Sequence, residues 1–399
     1  MNLERRIIME KYEKLLHKMI NEMEENHLCF PFVISKDELN KYTEKLLKEN
    51  TIKDDYDFLY VARNIIKTAL EPYDSHTNIS LIKSMGAILP INIKYIDNKF
   101  YIVKTNENHK DIEYSQLLKV NDIDVKELYK EAEKEISATT QEYKNNRISC
   151  TLLNTNDLRT LPSIKNDCDK IIYTIKDKDG KIKNYTFDAN KQEERKNYLR
   201  KENYRYTIYN NTLIINYFSC SESKPNQMIN FVKDIKDVAK NNDIKNYIVD
   251  LRGNTGGNSD IINPLISYLD GKDIVTLVDD RVFSSGRFAI MSLKEIGSKT
   301  VGTGIGTSIN AFGNIQKEMT SIDDNIGIYY STKYFCFNPT FICYQDQKEF
   351  AKHKNDKAIL ERDIFEPDIY VENSIDDYKN GVDKQLEVAL KELNKTKEK

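Results

Sequence analysis

Three stretches of this 399-residue chain combine residue types able to do chemistry. The first, Asp250-Leu251-Arg252-Gly253-Asn254-Thr255-Gly256-Gly257, leaves the apolar run Tyr247-Ile248-Val249. Its glycines open backbone shapes closed to other residues, so consecutive N–H groups can converge on an anion as an oxyanion hole requires. The bland alternative is an ordinary Gly-rich turn. The second, Asp280-Arg281-Val282-Phe283-Ser284-Ser285-Gly286-Arg287, passes directly from a strand into a helix. A serine at that junction exposes its hydroxyl where the partial positive charge of the helix N-terminus favours developing negative charge. Capping the helix is the commoner use of Ser284 or Ser285 in such a place.

A serine nucleophile needs a base, and the chain has five histidines. His17 and His27 lie in or beside the first helix, His109 in a polar turn and His353 in a Lys-rich stretch, so these four read as solvated. His76 differs. The third stretch, Asp74-Ser75-His76-Thr77, follows directly on Pro72, where a helix must stop, and forms an irregular loop crowded with hydrogen-bonding groups.

The elements that must position these loops are legible from periodicity. Ile8, Tyr12, Leu15, Leu16, Met19 and Met23 recur at helical spacing; Ser35 and Glu38 have capping-box spacing before a second helix; Leu59, Ala62, Ile65, Ile66 and Ala69 mark a third. This predicts a helical subdomain over 1–85. From 86 to 202 short β-type runs dominate, with a turn at Asp97-Asn98 and a strand, turn and helix start from Leu117, ending near the charged stretch Lys191 to Lys201. From 203 to 399 the pattern is βαβα, predicting an α/β sheet covered by helices, with both serine and glycine loops at the C-terminal ends of buried strands. A last helix, about Tyr378 to Leu393, reads as a docking element.

Composition narrows the class. Lys plus Arg number 60 against 63 Asp plus Glu, without blocks of one sign, which calls for neither nucleic acid nor an anionic membrane. The six cysteines form no CxxC or Cys/His cluster and read as reduced thiols. The charged N-terminus lacks a secretory core and no run approaches a membrane span, so the expected location is cytoplasmic.

Five pieces in order then carry a resemblance: Asp74-Ser75-His76-Thr77, Leu118-Lys119-Val120-Asn121-Asp122-Ile123-Asp124-Val125, Asp250 to Gly257, Phe283-Ser284-Ser285-Gly286, and Leu360-Glu361-Arg362-Asp363-Ile364-Phe365-Glu366-Pro367-Asp368-Ile369. The chain resembles the tail-specific, or C-terminal processing, serine peptidases. The resemblance implies a multi-domain α/β fold: a ClpP/crotonase-like core over 203–399, a degenerate PDZ-like domain over 86–202 and the helical subdomain over 1–85. It implies Ser284 as nucleophile and the N–H groups of Gly257 and Ser285 as oxyanion hole. Where the lysine-using branch has Gly-Lys-Gly this chain has Gly302-Thr303-Gly304, which favours the histidine branch, similar to the tricorn core protease. That branch implies a tetrad in which His76 is the base and Glu361 acts through Ser75 to hold it. Arg287 stands where the family usually has an acidic residue, and Arg362-Asp363 replaces a glycine-bearing stretch.

The activity implied is endopeptidase acyl transfer on a peptide or protein, with no metal or organic cofactor, no nucleic acid, no membrane span and a possible homo-oligomer. The rival from another class is a non-catalytic ligand- or peptide-binding protein on the same scaffold; nucleotide binding through Gly302-Thr303-Gly304-Ile305-Gly306 is disfavoured, because that stretch lacks the third glycine at the right spacing, a following helix and any Gly-Lys-Ser.

Overall fold

The N-terminal periodicity resolves into helices Leu3–Asn26, Lys36–Glu49 and Asp55–Leu70. Ser35 and Glu38 form both halves of the expected capping box, and the third helix ends two residues before Pro72, whose ring and missing N–H bar its continuation. The computed structural model describes residues 3–84, 86–164, 168–189, 202–337 and 340–395; the stretch Lys191 to Lys201, expected to close the β-rich region, lies outside them. The chain divides into two compact units, Met1–Glu194 with Ser308–Asp363, and Arg195–Thr307 with Ile364–Lys399.

In the first unit the helices share a core built on Leu16, Met19, Met23, Leu39, Phe58 and Ile65, and this core also takes in Ile322, Ile326 and Ile328 from far along the chain. The strand that follows the His76 loop, Asn78–Leu81, pairs antiparallel with Ile326–Tyr329. The β-rich region is an antiparallel sheet in the order Ile91–Ile96, Lys99–Thr105, Gln116–Val120, Lys170–Lys176, Ile182–Asp188. Asp97 and Asn98 both take positive φ, 49° and 59°, the conformation a two-residue hairpin demands. A second small sheet, Ala311–Ile315, Ser331–Cys336 and Ile342–Tyr344, carries Phe312 and Tyr334 against Phe350.

In the second unit six strands lie in the order Ile369–Tyr370, Lys299–Gly302, Asp273–Val278, Asn246–Asp250, Thr212–Tyr217, Tyr204–Tyr209. The first five run parallel and the last is an antiparallel edge; sequence periodicity found the inner strands and missed that edge, whose Ile208 and Tyr209 stand exposed. All five residues of Asn246–Asp250 are buried, as a strand covered on both faces requires. The expected C-terminal helix is broken into Ile375–Lys379 and Lys384–Lys395. The second piece docks on its own unit, setting Ala389 and Leu393 against Ile248, Val275, Leu277 and Val301. Arg252 secures the same end: its guanidinium holds Asp250 through two nitrogens, at 2.9 Å each, and reaches Asp383 at 2.8 Å and Gln385 at 3.1 Å.

Gly302 has a packing role. It pairs with Val278 at φ 145°, and a Cβ there would fall 1.9 Å from the Val278 carbonyl oxygen. The chain then runs through a loop to the strand Ala311–Ile315 without entering a helix, so no helix N-terminus stands ready for a phosphate, in line with the sequence, which lacks that helix signal.

Candidate active site

Ser284 sits where the buried strand Asp273–Val278 gives way to the helix Ser285–Glu295. Its φ and ψ are 52° and −122°, and its hydroxyl makes no capping hydrogen bond to the helix. A side chain held in such a sparsely populated backbone region costs about 1–3 kcal/mol, and it persists only where the surroundings over-determine it. They do so here. Phe283 N–H donates to the Asn254 carbonyl at 2.9 Å, Gly286 N–H to the Phe283 carbonyl at 2.9 Å and Arg287 N–H to the Ser284 carbonyl at 3.1 Å. The Asp279 carboxylate accepts from the N–H of Gly253 at 2.7 Å and of Arg281 at 3.1 Å, tying both loops to one side chain.

The glycine loop packs directly on this turn. A Cβ on Gly256 would meet Ser285 N at 2.7 Å and Ser284 Cβ at 2.8 Å; one on Gly257, at φ 135°, would meet the Cys220 carbonyl oxygen at 2.3 Å. Fully buried Asn254 shapes the loop from within, its Oδ1 accepting from Gly256 N–H at 2.8 Å and its Nδ2 donating to the Tyr217 carbonyl at 2.9 Å. The Ser285 hydroxyl donates to the Gly257 carbonyl at 2.7 Å. Among the described residues neither the N–H of Gly257 nor that of Ser285 donates to a backbone carbonyl in the loop contacts. Asn254 and Asp279 were not singled out from the sequence. Their signal was position alone, each lying within a few residues of a strand's C-terminal end.

In the first unit, Asp74-Ser75-His76-Thr77 is a tightly bonded loop. The Asp74 carboxylate is fully buried. Its Oδ1 accepts from His76 N–H at 2.7 Å, Thr77 N–H at 3.2 Å and the Ser331 hydroxyl at 3.0 Å, and its Oδ2 from the Thr77 hydroxyl at 2.6 Å and His27 Nε2 at 3.0 Å. Burial works to raise the Asp74 pKa, but the hydrogen bond and charge of His27, the charge of His76 and the Thr77 hydroxyl outweigh it and hold the carboxyl well below the usual carboxylate range. The His76 ring faces Gly313, where a Cβ would come within 3.4 Å of both His76 Cε1 and Phe335 Cε2.

Two histidines expected to be solvated are buried. His27 is fully enclosed, because Leu28 and Phe30, which follow it past the helix end, carry it into the core; His109 is 8% exposed and bonds the Tyr185 hydroxyl. His353 lies at the surface between Glu349 and Asp356, and His17 is exposed, as expected.

The remaining expected members occupy the first unit as follows. The Ser75 hydroxyl donates to Thr139 Oγ1 at 3.1 Å and accepts from Thr139 N–H at 3.3 Å. The Glu361 side chain is 56% exposed, with its carboxylate 4.0 Å from Lys357 Nζ, while its backbone carbonyl accepts from Asn310 Nδ2 at 3.0 Å. Ser75 and Glu361 are therefore not bonded to each other in this structure. Arg362 donates to the Thr139 carbonyl at 2.7 Å, and Asp363 takes φ 55°, the left-handed shape a glycine usually supplies. Arg287 is 1% exposed, donates to Thr307 Oγ1 at 3.4 Å and stacks over Phe288, so its charge is turned into its own unit and away from solvent.

Among the described residues no helix is long and apolar enough to cross a membrane, and no group of three or more His, Cys, Asp or Glu is placed to hold a metal ion.

A serine held at positive φ on a strand-to-helix turn, packed against a glycine loop at the C-terminal ends of parallel strands, is the arrangement of a hydrolase that attacks with a serine oxygen. Residues 211–285 match the family model for Peptidase family S41, a segment that contains the glycine loop and ends at Ser285, just past Ser284. The fold is similar to that of CPAF. Mature CPAF complexed with lactacystin aligns at TM-score 0.67 and 12% identity, covering 98% of this chain and 100% of that one. Mature CPAF aligns at 0.65 and 10%, covering 98% of each. No curated protein matches the sequence. Family match, fold and loop geometry agree on one class, a serine-type peptidase of multi-domain α/β architecture.

Proposed function

We propose that the chain is a serine endopeptidase that cleaves peptides or proteins by acyl transfer from Ser284. The observation that carries this reading is the backbone of Ser284 at φ 52°, with a hydroxyl that caps nothing. A structural serine has no reason to accept that strain, whereas a nucleophile gains an exposed oxygen from it. In this reading His76 takes the Ser284 proton as the oxygen attacks the scissile carbonyl. The N–H groups of Gly257 and Ser285 hold the tetrahedral oxyanion, and His76 returns the proton to the leaving amine. Water then repeats the sequence on the acyl-enzyme. The residues needed are those of the histidine-using, tricorn-like branch. The antiparallel sheet around Ile91–Ile96 would be the degenerate PDZ-like domain. Six free cysteines are in keeping with a reducing, cytoplasmic setting, and self-assembly is compatible with the reading.

Labelling with a fluorophosphonate probe tests the nucleophile: the wild type should be marked and Ser284→Ala should not, and equal labelling of both would assign the reactive oxygen elsewhere. Glu361 completes the tetrad only if its carboxylate replaces Thr139 on the Ser75 hydroxyl. Glu361→Gln should then slow labelling by about 10-fold or more with an unchanged melting temperature, and a wild-type rate would remove Glu361 from the site.

A further inference from the structure

The residue behind the base is more elaborately held than the base itself. Asp74 accepts five hydrogen bonds, from the end of the first helix through His27, from its own loop through the N–H groups of His76 and Thr77 and the Thr77 hydroxyl, and from the strand Ser331–Cys336 through Ser331. Its carbonyl takes a further bond from the Ser137 hydroxyl. His27 is fixed in turn: Cys29 N–H donates to its Nδ1 at 3.1 Å, so the ring is bound to carry its proton on Nε2 and present it to Asp74. A charge this deeply buried is costly unless fully bonded, and the residue following the first helix, the loop itself and a strand all supply donors to it. What they immobilise together is the backbone from Asp74 to Thr77. The imidazole leaving that backbone lies beside Gly313, where a Cβ would stand in contact, at 3.4 Å, with both the ring and Phe335.

We infer that Asp74, locked by His27, is a positioning residue for His76, fixing the backbone from which the imidazole reaches out. Its consequence for catalysis rests on His76 being the base. The titratable groups acting on Asp74 are His27, His76 and Tyr143, whose hydroxyl bonds the Ser75 carbonyl; Thr77, Ser137 and Ser331 are neutral.

The Asp74→Asn variant separates positioning from mere stapling. Its amide sets N–H groups against the His27 Nε2–H, which cannot shift its proton because Nδ1 is occupied. In Asp74→Asn/His27→Gln the glutamine can turn its oxygen to the asparagine amide. The full chain is followed in two ways, by the pH profile of fluorophosphonate labelling and by NMR of 15N-labelled histidine rings. Asp74→Asn should label about 10²-fold more slowly. With the carboxylate charge gone, the His76 titration midpoint should fall by roughly half a pH unit or more. The double variant should recover part of the rate.

A folded Asp74→Asn with wild-type rate and midpoint overturns the inference. Should that variant not fold, Thr77→Val, which keeps the side-chain shape and removes one donor to Asp74, decides by the same two readouts. A wild type that does not label at all refutes the peptidase reading and not this one. The ring titration of His76 then still decides: a midpoint indifferent to Asp74→Asn or Thr77→Val overturns positioning, and a shifted one upholds it.

Discussion

Ser284 shows how one dihedral changes the reading of a residue. By type and place it was a helix cap, and nothing in its neighbours' identities could reveal a φ of 52° or a hydroxyl without a capping bond. Gly257 is its counterpart, a residue whose missing side chain is required by the Cys220 carbonyl. Gly257→Ala should therefore displace the loop and lower the fluorophosphonate labelling rate by about 10²-fold or more, the scale of losing one oxyanion donor; a near-wild-type rate would mean Gly257 serves only the turn. Asp74 makes a prediction about pH. Its folded pKa lies below its unfolded value, so its stabilisation is complete above the unfolded pKa and is lost as pH falls from about 4 toward the folded one. Thermal melts should decline steeply below pH of about 4 in the wild type and less steeply in Asp74→Asn.

At the scale of elements, the loops are only as rigid as the strands they leave. Asn246–Asp250 is buried on both sides, and the helix Lys384–Lys395 closes one face with Ala389 and Leu393. Leu393→Ala should cost about 2–5 kcal/mol in urea denaturation, the cost of a large-to-small change in a packed core, without altering the labelling rate of the folded fraction. A change in that rate at unchanged stability would give the helix a role in the site. The elements named from periodicity were largely found: three helices, the Asp97-Asn98 hairpin and the central strands each announce themselves in local spacing. The edge strand Tyr204–Tyr209 and the break between Ile375–Lys379 and Lys384–Lys395 did not, since an exposed edge lacks alternation and the sequence reading ran one apolar periodicity through both helices.

Across the whole molecule, the chain returns from the second unit to the first at Ser308 and leaves it again after Asp363. Ile322, Ile326 and Ile328 lie in the core of the N-terminal helices, and Phe312 and Tyr334 pack with Leu28 and Phe32. A fragment of residues 203–399 should thus lack the partners of its 308–363 segment and give no single cooperative melt, whereas a sharp transition near that of the full chain would show the segment to be dispensable. The sequence by itself determined which residue types stand at strand ends, that His76 sits in a constrained loop and that the catalytic region is α/β, because these follow from local spacing and residue chemistry. Only the tertiary structure decided that His27 and Asp74 form one buried pair behind His76, that Ser75 bonds Thr139, and that residues 308–363 belong with the N-terminal helices. Such facts depend on contacts between residues tens to hundreds of positions apart, and no local pattern records which distant donor a buried carboxylate will meet.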